Sequence, residues 1–201
     1  MAARVLLRRS LPFVPHAPNR HTNHDLSRVV VIGSTGAGKS TFGSSLATRL
    51  GSPFIELDAL HWLPGWTPEE PERLRLKVDR ATAAPRWVLA GGYSVIRDIS
   101  WGRATMIVWL DYSFPRILGR LTTRTVRRVI TGEELWNGNR ETVRKAFFSR
   151  DSLFVWLAKT YRRNRRRYSR RLAEEFPDVA VLRFRAPRDA DRFLESAGGA
   201  E

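Results

Sequence analysis

The sequence contains no cysteine, only four lysines and few acidic residues. Without cysteine the chain can form neither a disulfide nor a zinc–thiolate site, and this composition suits a reducing compartment, so we expect a cytoplasmic protein. No uninterrupted apolar run is long enough to span a membrane, so we expect no membrane partner. At 201 residues and 42% hydrophobic, the chain can form one domain with an ordinary core.

The shortage of acid leaves a formal net charge of +15, and this charge is unevenly distributed. Between Tyr112 and Arg171 there are 17 Lys or Arg residues against 4 Asp or Glu residues, an excess of 13. Such a stretch can bind nucleotide phosphates, an acidic substrate or nucleic acid. It can equally be the solvated face of helices in an arginine-rich protein. Any non-specific nucleic-acid binding would be weak and salt-sensitive.

The most informative motif is VVVIGSTGAGKST at residues 29–41. A β-branched run typical of a buried strand ends at a Gly-x-x-x-x-Gly-Lys-Ser phosphate loop, and apolar residues at helical spacing follow. In such loops glycines bring backbone N–H groups close to phosphate oxygens. We expect Lys39 to be catalytic, reaching the β- and γ-phosphates of ATP, and the Ser40 hydroxyl to hold Mg²⁺. The residues expected to bind ATP are Gly33, Ser34, Gly36, Ala37, Gly38, Lys39, Ser40 and Thr41.

Strands and helices alternate along the rest of the chain, which predicts a parallel sheet covered on both faces. We therefore expect an α/β, three-layer P-loop NTPase with a five-stranded parallel sheet over residues 28–201. Residues 1–27 are expected to form a disordered extension. The predicted strands are 28–33, 53–57, 87–90, 105–110 and 179–184. The predicted helices are 39–50, 68–83, 113–129, 140–175 with a possible break near 150, and 188–197.

Polar or glycine positions follow three of the predicted strands, and ligands bind at the carboxyl ends of strands in such sheets. These positions are Asp58, the pair Gly91-Gly92, and Asp111. Their convergence predicts an acceptor site between the second and third strands. The residues expected to contact the acceptor are His61, Trp62, Gly91, Gly92, Tyr93 and Arg97.

The chemistry of this acceptor site stays open at the level of sequence. Asp58 could act as a catalytic general base toward a hydroxyl, or hold a Mg²⁺-bound water. A phosphate acceptor would instead need arginines such as Arg97 and Arg103. Trp62 and Trp66 could stack on a base or pack the helix 68–83 onto the sheet.

Four further segments resemble one group of proteins: ELDALHWLPGW (56–66), WVLAGGYSVIRD (87–98), ELWNGNRE (134–141) and FFSRDSLFVW (147–156). Together with the phosphate loop they are similar to bacterial adenylate kinase-like proteins, some labelled topology modulation proteins, within the nucleoside monophosphate kinase-like P-loop family. The resemblance covers roughly residues 28–195. It implies a bacterial ATP- and Mg²⁺-dependent phosphotransferase with an acceptor-side segment at about 58–84.

The same resemblance implies roles for several arginines. In adenylate kinases an Arg-x-x-x-Arg pair after the fourth strand stacks on adenine and touches phosphate, and Arg120 and Arg124 have that spacing and place. One helical turn puts both side chains on one face. A helical, arginine-rich lid is implied at about 125–160, with Arg150 at its end as a further catalytic residue.

The chain departs from the family pattern after the third strand. The family has an acid, glycine, asparagine and tyrosine there, whereas this chain has Ala90-Gly91-Gly92-Tyr93. Asp58 or Asp111 could replace the missing acid. We favour an ATP-dependent kinase acting on a nucleotide or nucleoside-like acceptor. The alternatives are a nucleotide-dependent nucleic-acid-binding regulator and a degenerate kinase that hydrolyses ATP slowly.

Overall fold

The computed structural model describes residues 24–140 and 153–197. Its main sheet has five parallel strands in the order β2-β5-β1-β6-β7, and a two-stranded antiparallel hairpin, β3-β4, lies outside it. The strands are β1 (Arg28–Gly33), β2 (Phe54–Glu56), β3 (Trp62–Leu63), β4 (Thr67–Pro68), β5 (Trp87–Ala90), β6 (Met106–Leu110) and β7 (Ala180–Phe184).

Helices connect these strands, and their ends follow local sequence signals. Proline lies in the first turn of three of them, where its fixed φ and missing N–H are tolerated. Gly132, at φ 63°, ends the longest helix of the first described range. The helices are α1 (Lys39–Arg49), α2 (Leu57–His61), α3 (Pro71–Ala81), α4 (Arg97–Arg103), α5 (Phe114–Thr131), α6 (Leu153–Glu174) and α7 (Pro187–Ser196).

Two hydrophobic clusters, one on each face of the sheet, form the core. Because successive strand residues point to opposite faces, Val29 and Val31 enter one cluster while Val30 and Ile32 enter the other. All four are fully buried. A strand buried on both faces explains why β1 reads as a continuous apolar run, and the result is the three-layer arrangement predicted from sequence.

The predicted five-stranded parallel sheet is confirmed, and the differences are local. The second strand ends at Glu56, because the chain turns directly into α2 instead of continuing to residue 57. The helix predicted from 68 begins at Pro71, since residue 68 belongs to the hairpin. The short helix α4 was missed because seven residues show too little periodicity.

The folded part of the chain begins slightly before the predicted boundary. Residues 25–27 are bonded to the fold: the Thr105 hydroxyl donates to the Asp25 carbonyl at 2.9 Å, and Trp87 N donates to Ser27 O. The folded part therefore starts slightly before the predicted boundary at residue 28. Most of the predicted extension, and Arg150 of the predicted lid, lie outside the described residues.

A buried ion-pair cluster ties α6 to the sheet. The Asp111 carboxylate, with its side chain 3% exposed, accepts hydrogen bonds from Arg183 Nη2 at 2.5 Å and from Arg165 Nε at 3.0 Å. The Arg183 guanidinium also lies 4.2 Å from the centre of the Trp109 ring. Because this carboxylate is engaged by two arginines, Asp111 is a structural residue here and a poor substitute for a Mg²⁺-positioning acid.

Asp111→Asn is expected to destabilise the fold by about 3–5 kcal/mol, since it leaves the Arg183 charge buried without its partner. Urea denaturation measures the loss. Asp79→Asn is the matched control, because Asp79 is 51% exposed in its pair with Arg103 and such pairs contribute about 0–1 kcal/mol. Equal losses in the two variants would contradict a special role for the buried cluster.

Candidate active site

The phosphate loop forms a cradle between β1 and α1. Gly36 and Gly38 have φ values of 79° and 92°, in the left-handed region that favours glycine. A Cβ at Gly38 would lie only 2.7 Å from a guanidinium nitrogen of Arg120, and no side chain caps the start of α1. The first N–H groups of α1 therefore remain available to an anion, as the phosphates of ATP require.

Two arginines of α5 lie near this cradle. Arg120 stands above Gly38, with its guanidinium 5.8 Å from the centre of the Tyr112 ring. Arg124 is close enough to Lys39 to lower the lysine's pKa further. Both positive charges are thus placed beside the residues expected to bind phosphate.

Lys39 itself is half-buried and surrounded by charge of both signs. Its Nζ donates to the Ser34 carbonyl at 3.3 Å. Burial lowers the pKa of Lys39, and the nearby carboxylates of Asp58 and Glu56 oppose that shift. A lysine in this position is well placed to gain from an incoming phosphate, because more negative charge would stabilise its ammonium form.

Glu56 is a functional candidate that the sequence analysis missed. Burial raises the pKa of Glu56, while the nearby Ser40 side chain and the charge of Lys39 act in the opposite direction. Glu56 is also the register partner of Ala90 across the β2–β5 pair. The acid absent at Ala90 therefore has a neighbour on the next strand, beside the predicted Mg²⁺ ligand Ser40.

Asp58 lies at the start of α2, and Tyr93 faces it from the segment after β5. The Tyr93 hydroxyl donates to Asp58 Oδ1 at 2.7 Å. Burial, followed by the charge of Asp58, raises the pKa of Tyr93, so the phenol stays protonated and keeps donating. This pair orients one carboxylate oxygen and leaves the other for a ligand.

His61 and Trp62 continue the wall beside this pair. The His61 ring centre lies 4.2 Å from that of Tyr93 and 4.6 Å from that of Trp62. Burial lowers the pKa of His61 despite the charges of Asp58 and Glu69, so the ring is neutral at neutral pH. All three predicted contacts on this side are therefore brought together.

The glycines after β5 are explained by close packing. Gly91, at φ 139°, would place a Cβ 2.6 Å from that of Leu57. A Cβ at Gly92 would lie 3.2 Å from the Tyr168 hydroxyl of α6. An asparagine at residue 92, as in the family pattern, would require the Tyr168 hydroxyl to shift by a few tenths of an ångström.

Arg97 is almost fully buried, at 7% exposure, and its guanidinium lies 5.2 Å from the centre of the Trp101 ring. Its buried Nε has no hydrogen-bond partner in the described part of the chain. Burial lowers the pKa of Arg97, and Arg171 and Arg167 lower it further. Arg103, by contrast, binds Asp79 at 2.6 Å and is a structural residue.

Trp66 makes contacts that neither of its two sequence-based alternatives included. Its ring centre lies 5.7 Å from that of Trp62 and 6.4 Å from that of Trp136, in the segment after α5. Trp66 therefore packs between the hairpin and the segment after α5. No local sequence pattern indicates a contact with residues some 70 positions away.

The described residues contain neither a ready-made metal cluster nor a membrane-spanning helix. Within 24–140 and 153–197, no group of three or more His, Cys, Asp or Glu residues could hold a metal on its own. The oxygens of Ser40 and Glu56, together with ATP phosphates, would suit Mg²⁺, which keeps several waters. In the same ranges, no helix has the length and apolarity needed to cross a membrane.

Comparisons with known proteins agree with this geometry. No protein-family model matches the chain. The chain is 29% identical over 126 residues to the uncharacterised protein YqaC of Bacillus subtilis. This alignment covers 62% of this chain and 70% of YqaC. It is 30% identical over 122 residues to the shikimate kinase of Salinibacter ruber, covering 53% of this chain and 60% of the kinase.

A solved gluconokinase from Sinorhizobium meliloti matches with a TM-score of 0.50 and 20% identity, covering 86% of this chain and 89% of that one. With the phosphate loop after β1 and the strand order around it, this likeness assigns the fold. The chain has the P-loop, nucleoside monophosphate kinase-like fold.

Glu56→Gln is expected to raise the thermal midpoint of the ligand-free protein at pH 7. Burial raises the pKa of Glu56 above its value in the unfolded chain, so the fold loses stability as pH rises through the folded-state pKa. The increase in thermal midpoint caused by the variant should be greatest above the folded-state pKa of Glu56. It should vanish below the unfolded-state pKa of about 4.3.

Thermal unfolding of both proteins between about pH 4 and 8 tests this expectation. The exposed Glu70→Gln is the control, for which no such pH-dependent gain is expected. A variant less stable than the parent at pH 7 would mean that the attraction of Glu56 to Ser40 and Lys39 outweighs the cost of burying its charge.

Proposed function

We propose that this protein is an ATP-dependent kinase that transfers the γ-phosphoryl group to a hydroxyl of a small molecule. The observation that carries the proposal is the Asp58–Tyr93 hydrogen bond of 2.7 Å, near the half-buried lysine of the phosphate loop. A carboxylate oriented in this way can accept the proton of an acceptor hydroxyl. When bound, Mg·ATP supplies the phosphoryl group.

On the nucleotide side, the residues act mainly by position and charge. The uncapped N–H groups of α1 and the cradle of Gly36 and Gly38 fit a polyphosphate. Lys39 would reach the transferred group, and Arg120 and Arg124 would neutralise the charge that develops on it. Phosphoryl transfer depends on such positive charge more than on a protein nucleophile.

Ser40 and Glu56 would hold Mg²⁺ on the same side. The Ser40 hydroxyl lies near enough to the Glu56 carboxylate to lower its pKa, so the two side chains could share one hydrated ion. Glu56 must be ionised to bind the metal, and the nearby ion would lower the raised pKa of its carboxyl group. Asp58 would then be free for the acceptor.

On the acceptor side, a hydroxyl at Asp58 and an anionic group at Arg97 fit the chemistry best. Arg97 is buried with Arg167 and Arg171 nearby, so a bound carboxylate or phosphate would relieve the repulsion between these guanidinium groups. The alternative of Arg103 as a phosphate ligand loses support, because Arg103 is paired with Asp79.

The related proteins support a hydroxyl acceptor of this kind. Shikimate kinase, by its name, acts on shikimate, and gluconokinase on gluconate; both molecules carry hydroxyls and a carboxylate. A nucleotide or nucleoside-like acceptor, and adenylate kinase-like activity in particular, stays a prediction that the same assay decides.

Lys39→Ala is expected to lower phosphate transfer by at least about 10²–10³-fold, because it removes the charge nearest the transferred group. Labelled Mg·ATP is incubated with nucleoside monophosphates, nucleosides, shikimate and gluconate, and the products are separated. Lys159→Ala, an exposed change on α6, is the matched control. Equal transfer by Lys39→Ala and the parent protein would contradict the proposal.

Asp58→Asn is expected to reduce kcat by about 10²–10⁴-fold while nucleotide affinity changes little, since it removes a general base and not a phosphate ligand. Asp98→Asn is the control, with a carboxylate that is 63% exposed on α4. Full kcat in Asp58→Asn would point to a phosphate acceptor, which needs no base.

A further inference from the structure

The segment after α5, residues 133–140, docks on the β3–β4 hairpin; we call it the amide loop. Asn139, 3% exposed, makes hydrogen bonds with both ends of its side-chain amide. Its Nδ2 donates to the Leu63 carbonyl at 3.0 Å, and its Oδ1 accepts from Trp66 N at 2.8 Å. One buried side chain thus holds both β3 and the turn that connects the two strands of the hairpin.

Asn137 and two tryptophans extend this contact. Asn137 Nδ2 donates to the Trp62 carbonyl at 2.5 Å, and the Trp66 indole N–H donates to the Arg140 carbonyl at 3.2 Å. The Trp66 and Trp136 rings meet edge to face. The hairpin is therefore held through its backbone, which makes the contact depend on the loop's geometry.

Backbone strain is concentrated at the same junction. Trp66 has φ 62° and Asn137 has φ 57°, and every other residue with positive φ in the described ranges is a glycine. A bulky residue in this conformation is costly and persists only where its surroundings impose it. Trp66 N donates to Asn139 Oδ1, and the Trp66 indole N–H donates to the Arg140 carbonyl. These two hydrogen bonds hold Trp66 in its positive-φ conformation.

The junction connects the two halves of the candidate active site. On one side, Gly132 ends α5, and Glu133 pairs with Arg127 at 3.1 Å and Arg128 at 3.4 Å, so the amide loop is fastened to the helix that carries Arg120. On the other side, the hairpin follows directly on α2, which carries Asp58.

We propose that Asn139 is a positioning residue that couples the arginine helix α5 to the acceptor-side residues of α2 and the β3–β4 hairpin. A nucleotide bound by the arginines would reduce the motion of α5. Because the amide loop is attached to α5, and Asn139 bonds that loop to the hairpin, the motion of the hairpin would be reduced as well. This inference rests on the proposed function for its kinetic effect, but the structural coupling can be measured without any acceptor.

The coupling is tested by hydrogen exchange of the backbone amides in residues 59–68, with and without Mg·ADP. In the parent protein, Mg·ADP is expected to slow this exchange. In Asn139→Ala the slowing should be lost while Mg·ADP binds with a similar Kd, and near-UV circular dichroism should show the loss of the Trp66–Trp136 contact. Asn164→Ala, on α6, is the matched control and should behave as the parent does.

Asn139→Asp is the second variant, in case the alanine variant folds poorly. It keeps the acceptor for Trp66 N but loses the donor to Leu63 O, so the slowing should be reduced rather than abolished. With an acceptor found in the transfer assay, Asn139→Ala should raise the acceptor KM about tenfold and leave the ATP KM unchanged.

The outcomes separate the two proposals. Equal slowing by Mg·ADP in the parent and in Asn139→Ala, or no slowing in the parent, would overturn the coupling. Transfer to no acceptor, with the slowing present and dependent on Asn139, would overturn the proposed kinase activity and leave the coupling supported. An unchanged acceptor KM in a variant that has lost the slowing would overturn the positioning role.

Discussion

The candidate site depends on a balance between burial and opposite charges around the half-buried Lys39. Burial pushes the ammonium group toward its neutral form, and Glu56 and Asp58 push it back. Glu56 in turn carries a raised pKa because it is buried. Without a ligand, the site thus contains charges that are only partly compensated. Phosphate oxygens would satisfy the cations and a divalent metal would satisfy the carboxylates, so Mg·ATP is complementary to both sets at once.

The sequence predicts well those features that depend on local pattern. The phosphate loop, the strands and most helix positions follow from periodicity and from glycine and proline placement. Arg120 could be assigned to the nucleotide site because, with Arg124, it matches the Arg-x-x-x-Arg pair that the family resemblance implies. By contrast, the role of Glu56 depends on β2 lying beside β5, and strand order is a long-range property. The available signal was an acid at the carboxyl end of the predicted second strand, where ligands bind in such sheets.

Composition could not assign the arginines of the basic stretch, because their roles differ from one residue to the next. Arg120 lies over Gly38, whereas Arg165 is bound to the buried Asp111. Arg162, Arg163 and Arg166 are exposed on α6, where they form the solvated face that the sequence also allowed. The excess charge is therefore divided between the site, the core and the surface. Nucleic-acid binding by the exposed part stays a prediction.

The missing acid after β5 had suggested a degenerate kinase, and the strand register weakens that argument. Ala90 and Glu56 are partners across adjacent parallel strands, so an acid on either strand lies at the same edge of the sheet. A side chain at Gly92 would require the Tyr168 hydroxyl to shift, so packing against α6 favours the glycine at that position. What distinguishes an active site from a decayed one is whether the displaced groups still converge. Here the Tyr93 hydroxyl donates to Asp58, Glu56 lies near Ser40, and both carboxylates lie near the half-buried Lys39.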